Sequence, residues 1–208
     1  MKMRVFSLVL TLASTALLTG CDEPPVAELD AAKKALSDAR TAGAEKFASS
    51  DFSAAQSAYN QAESTVNTEK EKLFKNFDQA RQMIADAKTK ADRAKSSAVE
   101  AKNRARSAAE SAINGAATAL QQARTSLEGA PYGKGNEGDI DQMRADLDQA
   151  DADLGAARAA VGSENFEQAQ SQATSAKQVA ERVESGVQAA VQKYHEMVEK
   201  MRPWYERF

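Results

Sequence analysis

Along most of the chain, apolar side chains recur at alternating steps of three and four residues, the spacing that lines one face of a helix against another helix. One seam runs Leu29, Ala32, Leu36, Ala39, Gly43, and after a break a second runs Phe52, Ala55, Tyr59, Ala62, Val66. Ser49, Ser50 and Asp51 can cap the second helix, and Thr68 with Glu71 has capping-box spacing for the start of a third. The third seam is the longest, with Leu73, Phe77, Ala80, Ile84, Ala87, Ala91, Ala94, Ala98, Ala101, Ala105 and Ala108 in unbroken rhythm. Past Ala105 the better seam is Ala109, Ile113, Ala116, Leu120, Ala123, Leu127, a shift that resembles a coiled-coil stutter. Residues 129–138, with Pro131 and four glycines, predict a flexible loop. Two further seams follow, Ile140 to Val161 and Phe166 to Met201, and Pro203 closes the last helix.

This pattern predicts an all-α fold: an elongated antiparallel helical bundle or coiled coil of about five helices around one very long central helix. If continuous over 68–128, that helix would measure about 90 Å at 1.5 Å per residue, with Asn114-Gly115 as its weakest point. The helical body spans residues 29–202, and residues 203–208 form an aromatic tail. Composition agrees, because alanine, the best helix former, dominates the apolar fraction, while the β-branched and aromatic residues that strands use are sparse.

Within the body, Asp51-Phe52-x-x-Ala55-Gln56, Asn76-Phe77-x-x-Ala80-Arg81 and Asn165-Phe166-x-x-Ala169-Gln170 repeat one form. Ahead of the first and third copies, Leu36-x-x-Ala39-Arg40 matches Leu154-x-x-Ala157-Arg158, with spacing that differs by four residues. Duplication of a helical hairpin, residues 29–66 and 140–183, is one reading; convergent coiled-coil composition is the other. At these residues the chain resembles an uncharacterised family of alanine-rich envelope lipoproteins and, more distantly, tetratricopeptide hairpins, although the 34-residue period of the latter is missing. The resemblance implies a helical body and brings no activity with it.

The N-terminus changes the picture. Lys2 and Arg4 precede a 14-residue uncharged stretch, Val5 to Leu18, which is followed by Thr19, Gly20 and Cys21. This is the order of a signal peptide, and the stretch is short of the ~20 residues that cross a bilayer. Leu18-Thr19-Gly20-Cys21 resembles the lipobox of bacterial lipoproteins; the competing reading is an ordinary secretory site beside an incidental cysteine. The resemblance implies cleavage before Cys21, a covalent lipid on its sulfur, and a body outside the cytoplasm, expected to be periplasmic. Residues 1–20 are then the signal peptide and 21–28, with Pro24 and Pro25, the lipidated residue and its tether. Asp22 and Glu23 would retain such a protein at the inner membrane in enteric bacteria, but the choice between inner and outer membrane stays open.

Without residues 1–20 the chain holds 25 basic and 30 acidic residues, a formal charge of −5 that gives no electrostatic case for nucleic acid. Cys21 is the only cysteine, so once lipidated it leaves no thiol for a metal, a disulfide or a nucleophile. Gly133-Lys134-Gly135-Asn136-Glu137-Gly138 spells a dinucleotide fingerprint but follows a helix where that chemistry needs a strand. His195 with Glu196 and Glu199 lacks the second imidazole of a zinc helix, and reads as an exposed helical histidine. Asp139, Asp141, Asp146, Asp148, Asp151 and Asp153 read as a solvated or ion-paired face, because alternate residues of a helix point apart and cannot converge on calcium.

Charge also separates along the chain, +5 over residues 69–106 against −7 over 137–167. Either these segments pack together, or the basic one meets anionic lipid headgroups or wall polymer. At the C-terminus Arg202, Trp204, Tyr205 and Phe208 make a candidate partner-docking element, or a cover for the bundle end. The function expected is therefore non-catalytic: a rod-like envelope lipoprotein with no cofactor beyond its lipid, attached to the membrane and contacting protein partners or itself. The alternative is a ligand- or wall-polymer-binding module, with a groove lined by Phe52, Tyr59, Phe77 and Phe166.

Overall fold

A computed structural model describes residues 23–203; Cys21, Trp204, Tyr205 and Phe208 lie outside the described residues. Every regular element among the described residues is a helix, and the chain divides into two compact units between Ser96 and Ser97.

The N-terminal unit begins with α1 (Val26–Thr41), which starts on the two prolines as the Leu29 N–H bonds to the Pro25 carbonyl at 3.1 Å. α1 ends at Gly43, whose φ of +86° only glycine adopts freely, and whose N–H donates to the Arg40 carbonyl at 2.9 Å. A single turn, α2 (Ala44–Phe47), leads into α3 (Ser49–Glu71). The first part of α4 (Asp78–Glu128) completes the unit. Lys95 and Asp38 approach to 3.8 Å, and the Arg81 guanidinium donates to the Glu23 carbonyl at 3.0 Å, so α1 and α4 run in the same direction. Thr65 lies against the Met83 sulfur at 3.5 Å, which sets α3 antiparallel to both. Alanines Ala32, Ala39, Ala55, Ala62, Ala80, Ala87, Ala91 and Ala94 are fully buried and let the three helices approach closely. Leu36, Phe52, Tyr59, Val66, Phe77 and Ile84 supply the larger apolar side chains between them.

The C-terminal unit is built on the same plan from the rest of α4, α5 (Glu137–Gly162) and α6 (Phe166–Met201). Arg124 pairs with Asp151 at 2.6 Å and Lys102 with Glu164 at 2.7 Å, so α5 runs back along α4. Lys193 meets Asp139 at 2.8 Å and Ser126 meets Glu184 at 2.9 Å, so α6 runs back along α5 and parallel to α4. Ile113, Leu120, Leu127, Ile140, Leu147, Leu154, Val183 and Val187 join the alanines in one core. The α5–α6 corner puts Glu164 at φ +58°, and its carboxylate accepts the Lys102 pair from there.

The long helix is continuous through Asn114-Gly115 but starts at Asp78, ten residues later than the sequence predicts. Thr68 caps nothing: α3 runs on to Glu71, and the Thr68 hydroxyl bonds back to the Ser64 carbonyl at 3.0 Å. Asn76 makes the start instead, its Oδ1 accepting the Asp78 N–H at 2.9 Å while the Phe77 carbonyl takes the Arg81 N–H. Leu73, placed in the seam by its spacing, lies in the exposed connection. The stutter is visible as burial: Ala98 and Ala109 are buried, Ala101 and Ala105 are half-buried, and Ala108 faces water. α2 aside, the described residues hold five helices, and the four residues of α2 match the difference in spacing between the two hairpins.

A Cβ on Gly115 would meet nothing within 4 Å. Gly115→Ala is therefore expected to stabilise the protein by about 0.4–1 kcal/mol, through helix propensity and a less entropic unfolded chain. Chemical denaturation would show it; a loss of stability would mean that this turn is not helical in solution.

Candidate functional site

The three phenylalanines of the repeated form share one placement. Phe77 stands immediately before α4, Phe166 opens α6 and Phe52 lies in the first turn of α3, and all three are buried. One turn on, Ala55, Ala80 and Ala169 are fully buried on the same face, as the i, i+3 spacing requires. The Arg40 guanidinium sits 5.3 Å from the centre of the Phe52 ring. These residues are packing units that start helices. Phe52, Tyr59 and Phe77 are buried residues of the N-terminal unit, and Phe166 is a buried residue of the C-terminal unit.

A groove lies between α5 and α6. Met143, Val183, Gly186 and Ala190 make its floor, and the exposed Ala189 with Asp139, Asp146, Arg182 and Lys193 lines its edges around about 340 Å³. A Cβ on Gly186 would come within 2.8 Å of the Met143 methyl, so the missing side chain is what lets the thioether lie across the floor. The Lys193–Asp139 pair closes one end.

Beside this groove the glycine-rich connection is held, not free. Asn136, among the described residues the one buried polar side chain, donates to the Pro131 carbonyl at 2.6 Å and reaches the Ala190 carbonyl of α6 at 3.4 Å. Its Oδ1 accepts the Gly133 N–H at 3.0 Å. Gly133 and Gly135 let the loop backbone press on Tyr194 and Met197, and Gly135 has φ +109°. Outside, the Tyr132 hydroxyl donates to Asp141 at 3.1 Å under the Arg144 guanidinium. No strand precedes the loop among the described residues, so the fingerprint spacing here serves packing.

The acidic residues of α5 do not converge on one point and are paired locally. Asp139 takes Lys193, Asp141 takes Arg144, and Asp148 and Asp151 share Arg124, while Gln142 and Gln149 donate to Asp146 and Asp153. His195 is exposed, with its ring edge-on to Tyr194. Lys102–Glu164 joins the basic stretch to the acidic one, whereas Lys88, Lys90, Arg104 and Arg106 pair along their own helix. Exposed pairs of this kind contribute at most about 1 kcal/mol each.

Perturbed groups follow the same local logic. The hydrogen bond from Lys34 holds the Asp38 carboxyl below its usual range. Burial and then Glu63 push the Tyr59 phenol up, and Asp141 does the same to Tyr132. Arg202, the described member of the aromatic tail element, is exposed and lies 3.3 Å from Glu199. Among the described residues no helix is long and apolar enough to cross a membrane. No protein-family model matches the chain, and neither a curated protein nor a solved structure shows similarity to it.

Proposed function

We propose that the chain is a lipoprotein of the bacterial envelope, anchored through Cys21, whose helical body acts without catalysis as a structural spacer or adaptor for protein partners or a second copy. The alanine seams are consumed inside the two units, so partner contacts fall on apolar residues outside them. The observation that carries the adaptor reading is the end of α6, which continues for eleven residues past Ala190, its last buried residue. Val198 and Met201 are exposed there, at 36% and 57%, and lead in sequence into Arg202 and the aromatics Trp204, Tyr205 and Phe208. Large rings beside arginine are what interface hot spots favour.

Crosslinking in native membranes, followed by identification of what co-purifies, tests this reading. Deleting residues 203–208 is expected to leave helicity and melting unchanged and to abolish crosslinks to protein neighbours. Bound glycan in place of protein would favour the wall-polymer module. A marked fall in melting temperature with the crosslinks intact would make the tail part of the bundle and remove the docking element.

A further inference from the structure

The connection between α3 and α4 turns two large apolar side chains into water. Leu73 is 93% exposed and Phe74 is 89% exposed, while Phe77, three residues on, is fully buried. Packing therefore explains Phe77 and leaves the other two without a role in the fold. Lys72, whose ammonium pairs with Glu69, and Lys75 flank the pair directly, and Lys70 stands one turn back at the end of α3; all three lysines are exposed. Adjacent bulky apolar side chains bracketed by long cationic ones fit a bilayer interface, where rings and branched chains enter the acyl boundary and the ammonium groups stay among phosphates.

The position of the pair within its unit selects the same partner. The end of α3, the start of α4 and the start of α1 lie together, since Thr65 touches Met83 and Arg81 holds the Glu23 carbonyl. Glu23 is two residues from Cys21, a stretch of chain that spans at most about 7 Å. The apolar pair and Glu23 thus belong to one end of the N-terminal unit, and on the lipoprotein reading the lipid attaches two residues before Glu23.

Resting on the lipoprotein reading, we propose that Leu73 and Phe74 insert into the surface of the membrane that holds the Cys21 lipid, with Lys72 and Lys75 on anionic headgroups. The N-terminal unit is then tied to the bilayer at two places, and the second contact, made intramolecular by the first, needs little affinity of its own.

The test uses the full mature protein in vesicles of phosphatidylethanolamine and phosphatidylglycerol, with Leu73→Cys, Phe74→Cys or, as control, the exposed Ser37→Cys carrying an environment-sensitive dye. An acylated Cys21 takes no dye, so mass spectrometry gives one label per chain and reports the anchor separately. Blue-shifted emission at positions 73 and 74, quenched by nitroxide lipid, with aqueous emission at 37, is the expected result. Aqueous emission at all three positions overturns the proposal, and more firmly if a photocrosslinker at 74 captures a protein in cells. A chain that takes two labels has a free Cys21 thiol and fails the anchor reading, and with it the contact that rests on that anchor, whereas one label with aqueous emission fails the contact alone.

Discussion

Phe77→Ala is expected to destabilise the N-terminal unit by about 3–5 kcal/mol, the range for deleting a fully buried aromatic side chain. The core of that unit holds few large side chains, and Phe77 is the largest of those fully buried. Its neighbours on the seam, Ala80 and Ala87, have no length with which to fill the space that it would leave. A domain is commonly stable by about 5–15 kcal/mol, so the loss removes a large share of what holds α1, α3 and the start of α4 together. Phe74→Ala is the matched control: the same deletion three residues earlier, on an exposed side chain, is expected to stay within about 0.5 kcal/mol. Denaturant titration followed by circular dichroism separates the two. Equal effects would show that the connection is packed differently from the structure, and would weaken the membrane contact proposed for Leu73 and Phe74.

That contrast marks what the sequence could show and what it could not. The 3–4 rhythm locates buried positions wherever a helix exists, and Ala80, Ile84, Ala87, Ala91, Ala94 and Ala98 are all buried. It cannot say where a helix starts. Leu73 stands four residues before Phe77 and fits the seam on paper, yet the chain bends there outside any helix, because Asn76 and Phe77 set the first turn of α4 after it. The polar run 67–71 carries α3 onward with no buried side chain to mark it, a weak signal beside the stronger-looking capping box. Asn136 was equally hidden, since a polar residue among glycines reads as a loop, and its value comes from a carbonyl 54 residues away on α6. An asparagine just before a helix start could have been read as a cap, but its burial depends on how the loop folds over Tyr194 and Met197. The α5–α6 groove was invisible for the same reason: its floor joins Met143 to Gly186, two residues that no local spacing connects.

Cys21→Ala is expected to abolish firm membrane attachment. The apolar stretch before Cys21 has 14 residues, too few to remain as a span, and no helix among the described residues is long and apolar enough to cross. On the proposed lipoprotein reading, attachment falls to acyl chains on Cys21, and the number of chains decides how firm it is. One chain binds reversibly at about 10⁴ M⁻¹, whereas two or more hold a protein stably, because each buried CH₂ adds about 0.8 kcal/mol. Without the sulfur no chain can be added, and cleavage coupled to acylation stops as well. The variant should therefore accumulate as uncleaved precursor, or yield a body that enters the aqueous phase when detergent solutions are warmed to separate. The contact proposed for Leu73 and Phe74 would not rescue it, since two side chains and a few lysines give a salt-sensitive association that a high-salt wash removes. A variant that is processed to normal size and stays with the membrane through that wash would show that something other than lipid on Cys21 holds the protein there.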